Sequence, residues 1–292
     1  MRKPFLGTDI TYDKNNNSFN GDCFIVANAS ELHSAALNAA TSDATQMIEK
    51  IEKPFPLPLR ILEWISLIAG VSMISGIIKA LSGDDAVTLA QGYQNAPALF
   101  WIGGISMLLW LGLFLYKRSK IKQLEATGKP DEVTAKLDSV AESIFFELGV
   151  PEDAAKVDIL SFTYKEKNGE AVPKTSGLDT TPYHNFEMRV FIESDTLFLT
   201  DVESKYAIPL ASLTAIRTMN KRISVPLWNK DIGYNEGIYK PYKLTTNNMD
   251  NVFLKPYHIL EFTHEGELWG IWFPCYELPV MEALTGLTAE QG

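Results

Sequence analysis

Cysteine is nearly missing from this chain: Cys23 and Cys275 are the two thiols in 292 residues. So widely separated a pair makes neither a disulfide framework nor a zinc pattern, and both thiols suit a reducing compartment. Histidine is scarce as well, with His33, His184, His258 and His264. On a strand, His258 and His264 share one face and Glu261 falls on the other. Zinc needs three or four converging ligands, so no metal site is expected. Net positive charge is lacking too: 26 Lys and Arg stand against 36 Asp and Glu, a formal charge of −10. An acidic chain with a pI near 5.0 is a poor match to the phosphate backbone, and no nucleic-acid partner is expected.

Catalytic phrases are absent in the same way. No GxGxxG, HExxH, GxSxG or CxxC occurs. "ATGKP" at 126–130 fails as a phosphate loop, because Gln123 stands where the earlier glycine is needed and Pro130 where Ser or Thr would hold magnesium. No catalytic residue and no cofactor are expected, and the chain reads as non-enzymatic. Its first residues, "MRKPFLGTDITYDKNNNSFNGD", are basic without an apolar run behind them, unlike a cleavable signal peptide. Sequons at Asn16 and Asn28 matter only on an extracytoplasmic segment.

What is present is a concentration of apolar residues between 61 and 116, hidden by a mean hydropathy of −0.03. "ILEWISLIAGVSMISGIIKAL" (61–81) has Glu63 near its start and Lys79 near its end, and "PALFWIGGISMLLWLGLFLY" (97–116) has no charge. Each meets the roughly 20 residues of a membrane-spanning helix, a length that two helices buried in a globular core would also meet. Trp64, Phe100, Trp101, Trp110 and Tyr116 lie mostly toward the ends of the runs, as interfacial anchors do. The link, residues 82–96, holds Asp84 and Asp85 and no Lys or Arg, whereas Lys50, Lys53 and Arg60 precede the first run. Lys117, Arg118, Lys120 and Lys122 follow the second. Positive flanks mark the cytoplasmic side, so the expectation is a two-pass protein of a bacterial-type plasma (inner) membrane with both termini cytoplasmic. Lys79, at the outer end, would snorkel to the interface. Ser72 and Gly76 in the first run and Gly103 and Gly104 in the second are the small residues expected to seat the helices on each other.

Soluble helices flank the hairpin. Residues 29–53 carry Leu37, Ala40, Ala44, Met47 and Ile51 as a short apolar seam behind an N-capping Ser30, and Pro54, Pro56 and Pro58 end it. Residues 131–148 carry Val133, Leu137, Val140, Ala141, Ile144 and Leu148 as one stripe. Their polar face is acidic, which favours docking on protein over lying on a membrane. From 157 the pattern turns to strands, with turns at Asn168-Gly169, at Glu193-Ser194-Asp195, at Asp201-Val202-Glu203-Ser204 and at Glu265-Gly266, and a short helix closes the chain before Gly286. The division expected is 1–56, an N-terminal cytoplasmic segment; 57–122, the hairpin; 123–154, a linker helix; and 155–292, a β domain.

"TLFLTDVESKYAIPLASLTAIR", a strand, an acidic turn and a strand leading into a bent element, and the closing "ELWGIWFPCYELPVMEAL" together resemble a pleckstrin-homology-like domain over about 155–288. Paired spans joined to such a domain are similar in layout to bacterial membrane proteins of the YcxB-like kind. The fold class expected is α+β: a transmembrane hairpin, membrane-proximal helices, and an antiparallel β-rich barrel or sandwich with a closing helix. Lipid-binding members hold phosphates with basic residues in an early strand and loop. Here the early hairpin has Glu193 and Asp195, and the basic cluster Arg217, Lys221 and Arg222 comes later. That cluster is a candidate contact for anionic lipid headgroups beside a bilayer. Trp228, Tyr234, Tyr239 and Tyr242, in the long insertion with nearby Tyr257, are either a partner surface or a cover for an open sheet. The function expected is a membrane-anchored binding or adaptor protein with an unidentified protein partner. The alternative is an accessory subunit of a transport or secretion complex, contacted through its spans.

Overall fold

The computed structural model describes residues 2–9, 20–82, 88–168, 170–173, 183–226, 240–246 and 251–291. The chain forms two compact units, Ala35–Val140 and, from two separate stretches, Met1–Ser34 with Ala141–Gly292. Six helices are described: α1 (Glu31–Glu52), α2 (Leu57–Ser82), α3 (Leu89–Asn95), α4 (Pro97–Glu125), α5 (Lys129–Glu147) and α6 (Leu278–Thr285). The strands are β1 (Arg2–Pro4), β2 (Gly7–Asp9), β3 (Ile25–Asn28), β4 (Ala155–Lys167), β5 (Glu170–Pro173), β6 (Tyr183–Glu193), β7 (Thr196–Thr200), β8 (Ser204–Pro209), β9 (Leu213–Met219), β10 (Ile223–Pro226), β11 (Thr245–Thr246), β12 (Asn251–Leu254), β13 (Tyr257–His264), β14 (Glu267–Pro274) and β15 (Ala289–Gln291). The architecture is α+β with a large mixed sheet.

In the helical unit, α2 and α4 pack on each other, and both are long and apolar enough to cross a membrane. Two glycine–methionine seats set their approach. A Cβ on Gly103 would strike Met73, and one on Gly70 would strike Met107. Gly76 and Gly104 have nothing within 4 Å of that position, and Ser72 is exposed. Of the four small residues expected at the seam, only Gly103 is there; Gly70 joins it. One step along a helix turns about 100°, which carries Gly104 off the face that Gly103 presents. At one end of the pair Glu63 meets Lys117 at 3.8 Å. Phe55 stacks on Tyr116 with centroids 5.6 Å apart, and Lys120 sits 5.5 Å from the same ring. The basic cluster is helical, since α4 runs on to Glu125. The link contains α3, started by a reciprocal Thr88–Gln91 capping box. Asp84 and Asp85 lie outside the described residues.

In the β unit, β4, β6, β7 and β8 form one antiparallel meander, and β9, β13 and β14 a second; Trp272 opposite Leu160 joins them. The turns follow local chemistry: Glu265 and Gly266 have φ of 51° and 78°, the doubly positive pattern of a two-residue hairpin. Ser194 and Asp195 repeat it at 47° and 61°.

The N-terminal segment does not stand apart as the sequence division had it. β1 pairs parallel with β14, β2 parallel with β4, and β3 antiparallel with β8. Phe5, Leu6 and Phe24 are buried in the main core beside Val157, Leu199, Phe262 and Ile271. These strands have three or four residues each, too few for a period-2 pattern to stand out. The sheet is consequently mixed. Its strand path runs from β15 to β3 with both ends open, so of the expected barrel or sandwich no closed barrel is formed among the described residues.

Both faces of the sheet are covered. Along β4, Val157 and Ile159 point into the main core, while Leu160, Phe162 and Tyr164 point into a second one. α6 contributes the fully buried Met281 to the first. The second is closed by the small sheet β10–β12–β11, through Ile223, Val225, Val252 and Leu254. The described part of the long insertion is therefore a cover.

Phe5→Ala lowers stability by about 3–5 kcal/mol, the usual range for a buried phenylalanine, and a 155–292 fragment stays unfolded until residues 1–34 are supplied; denaturant melts of the β unit's tryptophan fluorescence check both. Gly103→Leu and Gly70→Leu lower the detergent melting temperature of the full chain, whereas Gly104→Leu and Gly76→Leu leave it unchanged.

Candidate functional site

β4, β5, β6, β9, β13 and β14 enclose a cleft of about 390 Å³ on the second face of the sheet. Its floor is aromatic and aliphatic: Phe162, Tyr183, Tyr257, Ile259 and Trp272, with Met219 and Leu268 beside them. Period-2 alternation places Leu160 and Phe162 on this face of β4, and Tyr257 and Ile259 on this face of β13. Gly270 makes the approach of β1 possible, because a Cβ there would sit 2.7 Å from Ile259 and 3.0 Å from the Arg2 side chain.

Two cations reach the cleft, Arg2 and Lys221. Arg2 pairs with Glu261, which is 5 % exposed, and Arg217 reaches the same carboxylate at 3.2 Å and Glu290 at 2.7 Å. Two arginines and two carboxylates balance there. The Nε of Arg2 is buried without a hydrogen-bond partner. Lys221 is exposed and makes no ion pair among the described residues. The Tyr183 and Tyr257 hydroxyls bond to each other, and burial first, then that pairing, holds the Tyr183 hydroxyl well above its ordinary range.

The basic cluster named from sequence is thus divided. Arg217 is held by two carboxylates, Arg222 lies 3.8 Å from the centroid of the Phe253 ring, and Lys221 alone faces the cleft. Of the aromatic surface, Tyr242 is partly buried against the second core, and Trp228, Tyr234 and Tyr239 lie outside the described residues. No sequence pattern pointed to the cleft, since its lining is scattered from Arg2 to Trp272 and converges through sheet pairing alone.

A second polar cluster joins β4 to the start of α6. The Asp158 backbone N–H donates to Glu277 Oε1 at 3.0 Å, and the Tyr276 hydroxyl donates to Asp158 Oδ2 at 2.7 Å. Burial pushes the Glu277 carboxyl up to about 7, against the lowering effect of its backbone bond; burial also raises Asp158. His258 is buried, stacks on Phe273 at 5.6 Å and lies 3.3 Å from the Thr218 hydroxyl; burial lowers its pKa. His264 packs edge-on against Phe24 at 4.7 Å. Burial raises the Cys275 thiol to about 11, which keeps it in the unreactive protonated form, and partial desolvation raises that of the exposed Cys23. Among the described residues no three His, Cys, Asp or Glu side chains gather as a metal-binding set.

No family model, no curated protein and no solved structure matches the chain.

The Glu277 geometry has a pH signature. Its folded pKa lies above the ordinary 4.5, so the folded state binds this proton more tightly than the unfolded chain does. Stability from this group is full below pH 4.5 and is lost as pH rises toward 7, by about 3 kcal/mol at 1.36 kcal/mol per pH unit. Glu277→Gln keeps the acceptor for the Asp158 N–H and removes the titration. Melting temperatures of this variant should fall less between pH 5 and pH 8 than those of the parent.

Proposed function

We propose that the chain is a two-pass membrane protein whose β unit, pleckstrin-homology-like in its order of elements, is a cytoplasmic binding or adaptor domain. The observation behind the anchor is the outward face of the hairpin. Trp64, Ile68, Trp101 and Leu108 are 60–71 % exposed, although each would gain about 1.5–3 kcal/mol from leaving water. A bilayer supplies that burial, and the residues facing the helix partner are no more apolar than those facing out. The basic residues Arg118, Lys120 and Lys122, exposed on the last turns of α4, support a cytoplasmic end there. Four antiparallel strands, three more and a closing helix support the kinship of the β unit. A binding role rests on the absence of catalytic phrases in the sequence, together with an acid–base inventory that serves packing and pairing among the described residues.

The second reading, a subunit contacted through its spans, is favoured by Gly76 and Gly104, which leave open space on the outer surface of the hairpin. Affinity purification of the full chain separates the two. Partners lost with Gly76→Leu and Gly104→Leu belong to the spans, and partners kept belong to the β unit.

The anchor is tested by alkaline extraction and by labelling single cysteines in intact cells with an impermeant maleimide, Cys23 and Cys275 being replaced by serine. Cysteine at Gln91 is expected to label and cysteine at Ser119 to stay protected until the membrane is opened. Release of the chain at high pH, or the reverse labelling pattern, sinks this reading.

A further inference from the structure

We infer that the cleft lined by β4, β5, β6, β9, β13 and β14 binds a small amphipathic monoanion, a carboxylate on an apolar body of aryl or short alkyl type. The size fits, since about 390 Å³ lies at the lower end of small-ligand sites. The floor offers Phe162, Ile259 and Trp272, which suit an apolar body. The charge argument is stricter. No acidic side chain lines the cleft among the described residues, in a protein of net charge −10. Glu261 nearby is already matched by Arg2 and Arg217, and Arg217 by Glu290. Among the described residues that leaves one uncompensated cation at the cleft, Lys221.

One cation beside an apolar floor defines a site for a single negative charge on an apolar body. A dianionic phosphate would leave charge uncompensated in the same place. This inference stands without the membrane reading, because every lining residue belongs to the β unit.

The test is calorimetric titration of the full chain in nanodiscs of zwitterionic lipid, with empty nanodiscs subtracted. Three probes are compared: 4-phenylbutyrate, the uncharged 4-phenylbutan-1-ol, and acetate. 4-Phenylbutyrate is expected to bind one saturable site, with the alcohol and acetate each at least about tenfold weaker, as loss of a charge-assisted bond or of the apolar body predicts. Lys221→Glu, a change at an exposed side chain, should weaken 4-phenylbutyrate by at least about tenfold with an unchanged melting curve. Val172→Trp, which fills the cleft from β5, should abolish binding. The inference is overturned by an alcohol that binds as well as the acid, by acetate that does so, by Lys221→Glu without effect, or by no saturable binding. Inorganic phosphate that displaces 4-phenylbutyrate at equal concentration overturns the monoanion assignment.

Discussion

A carboxylate buried in the middle of a sheet must find positive charge, and Glu261 finds it in two arginines distant in sequence. Arg2 comes from the first strand and Arg217 from β9. Breaking a buried pair by removing one partner typically costs 3–5 kcal/mol, because the other charge stays behind without compensation. The same pairing lies beside the β1–β14 ladder. Once β1 is in register with Leu268–Gly270, Phe5 and Leu6 follow it into the main core. The N-terminal stretch thereby completes a domain whose remaining strands begin after residue 154.

With β1 in place the sheet has apolar side chains on both faces, and each needs its own cover. The main core receives α6, Phe5 and Phe24. The second receives β10, β11 and β12 from the insertion between β9 and β13. Among the described residues a cleft remains between that cover, β5 and the β1 edge. Its lining mixes residues that belong to a core with two side chains, Arg2 and Lys221, that belong to a surface.

Local chemistry made some elements legible. Two residues with the turn preference of Glu265-Gly266 between apolar runs forced a hairpin, and the charge-free run from Pro97 forced a long helix. The same reasoning found Gly103 at the helix seam but also named Gly76 and Gly104, because small size says that close approach is tolerated and not where a neighbour lies. Met73 and Met107 choose the seats, and only the pairing of α2 with α4 places them over Gly103 and Gly70. The basic cluster shows the same limit: adjacent Lys221 and Arg222 have different neighbours, one at the cleft and one over Phe253.

By itself the sequence determined the elements whose cause is local: helix length from apolar runs, strands from alternation, turns from glycine and polar pairs, and an α+β composition. Tertiary structure alone decided that residues 2–9 and 20–28 close the β unit, that the sheet stays open, that Arg217 is spent on Glu261 and Glu290, and that a cleft exists. The physical reason is that these depend on which distant segments share a hydrogen-bond ladder or a buried charge. A three-residue strand has no pattern of its own; its place is set by the unpaired edge and the uncompensated carboxylate waiting for it.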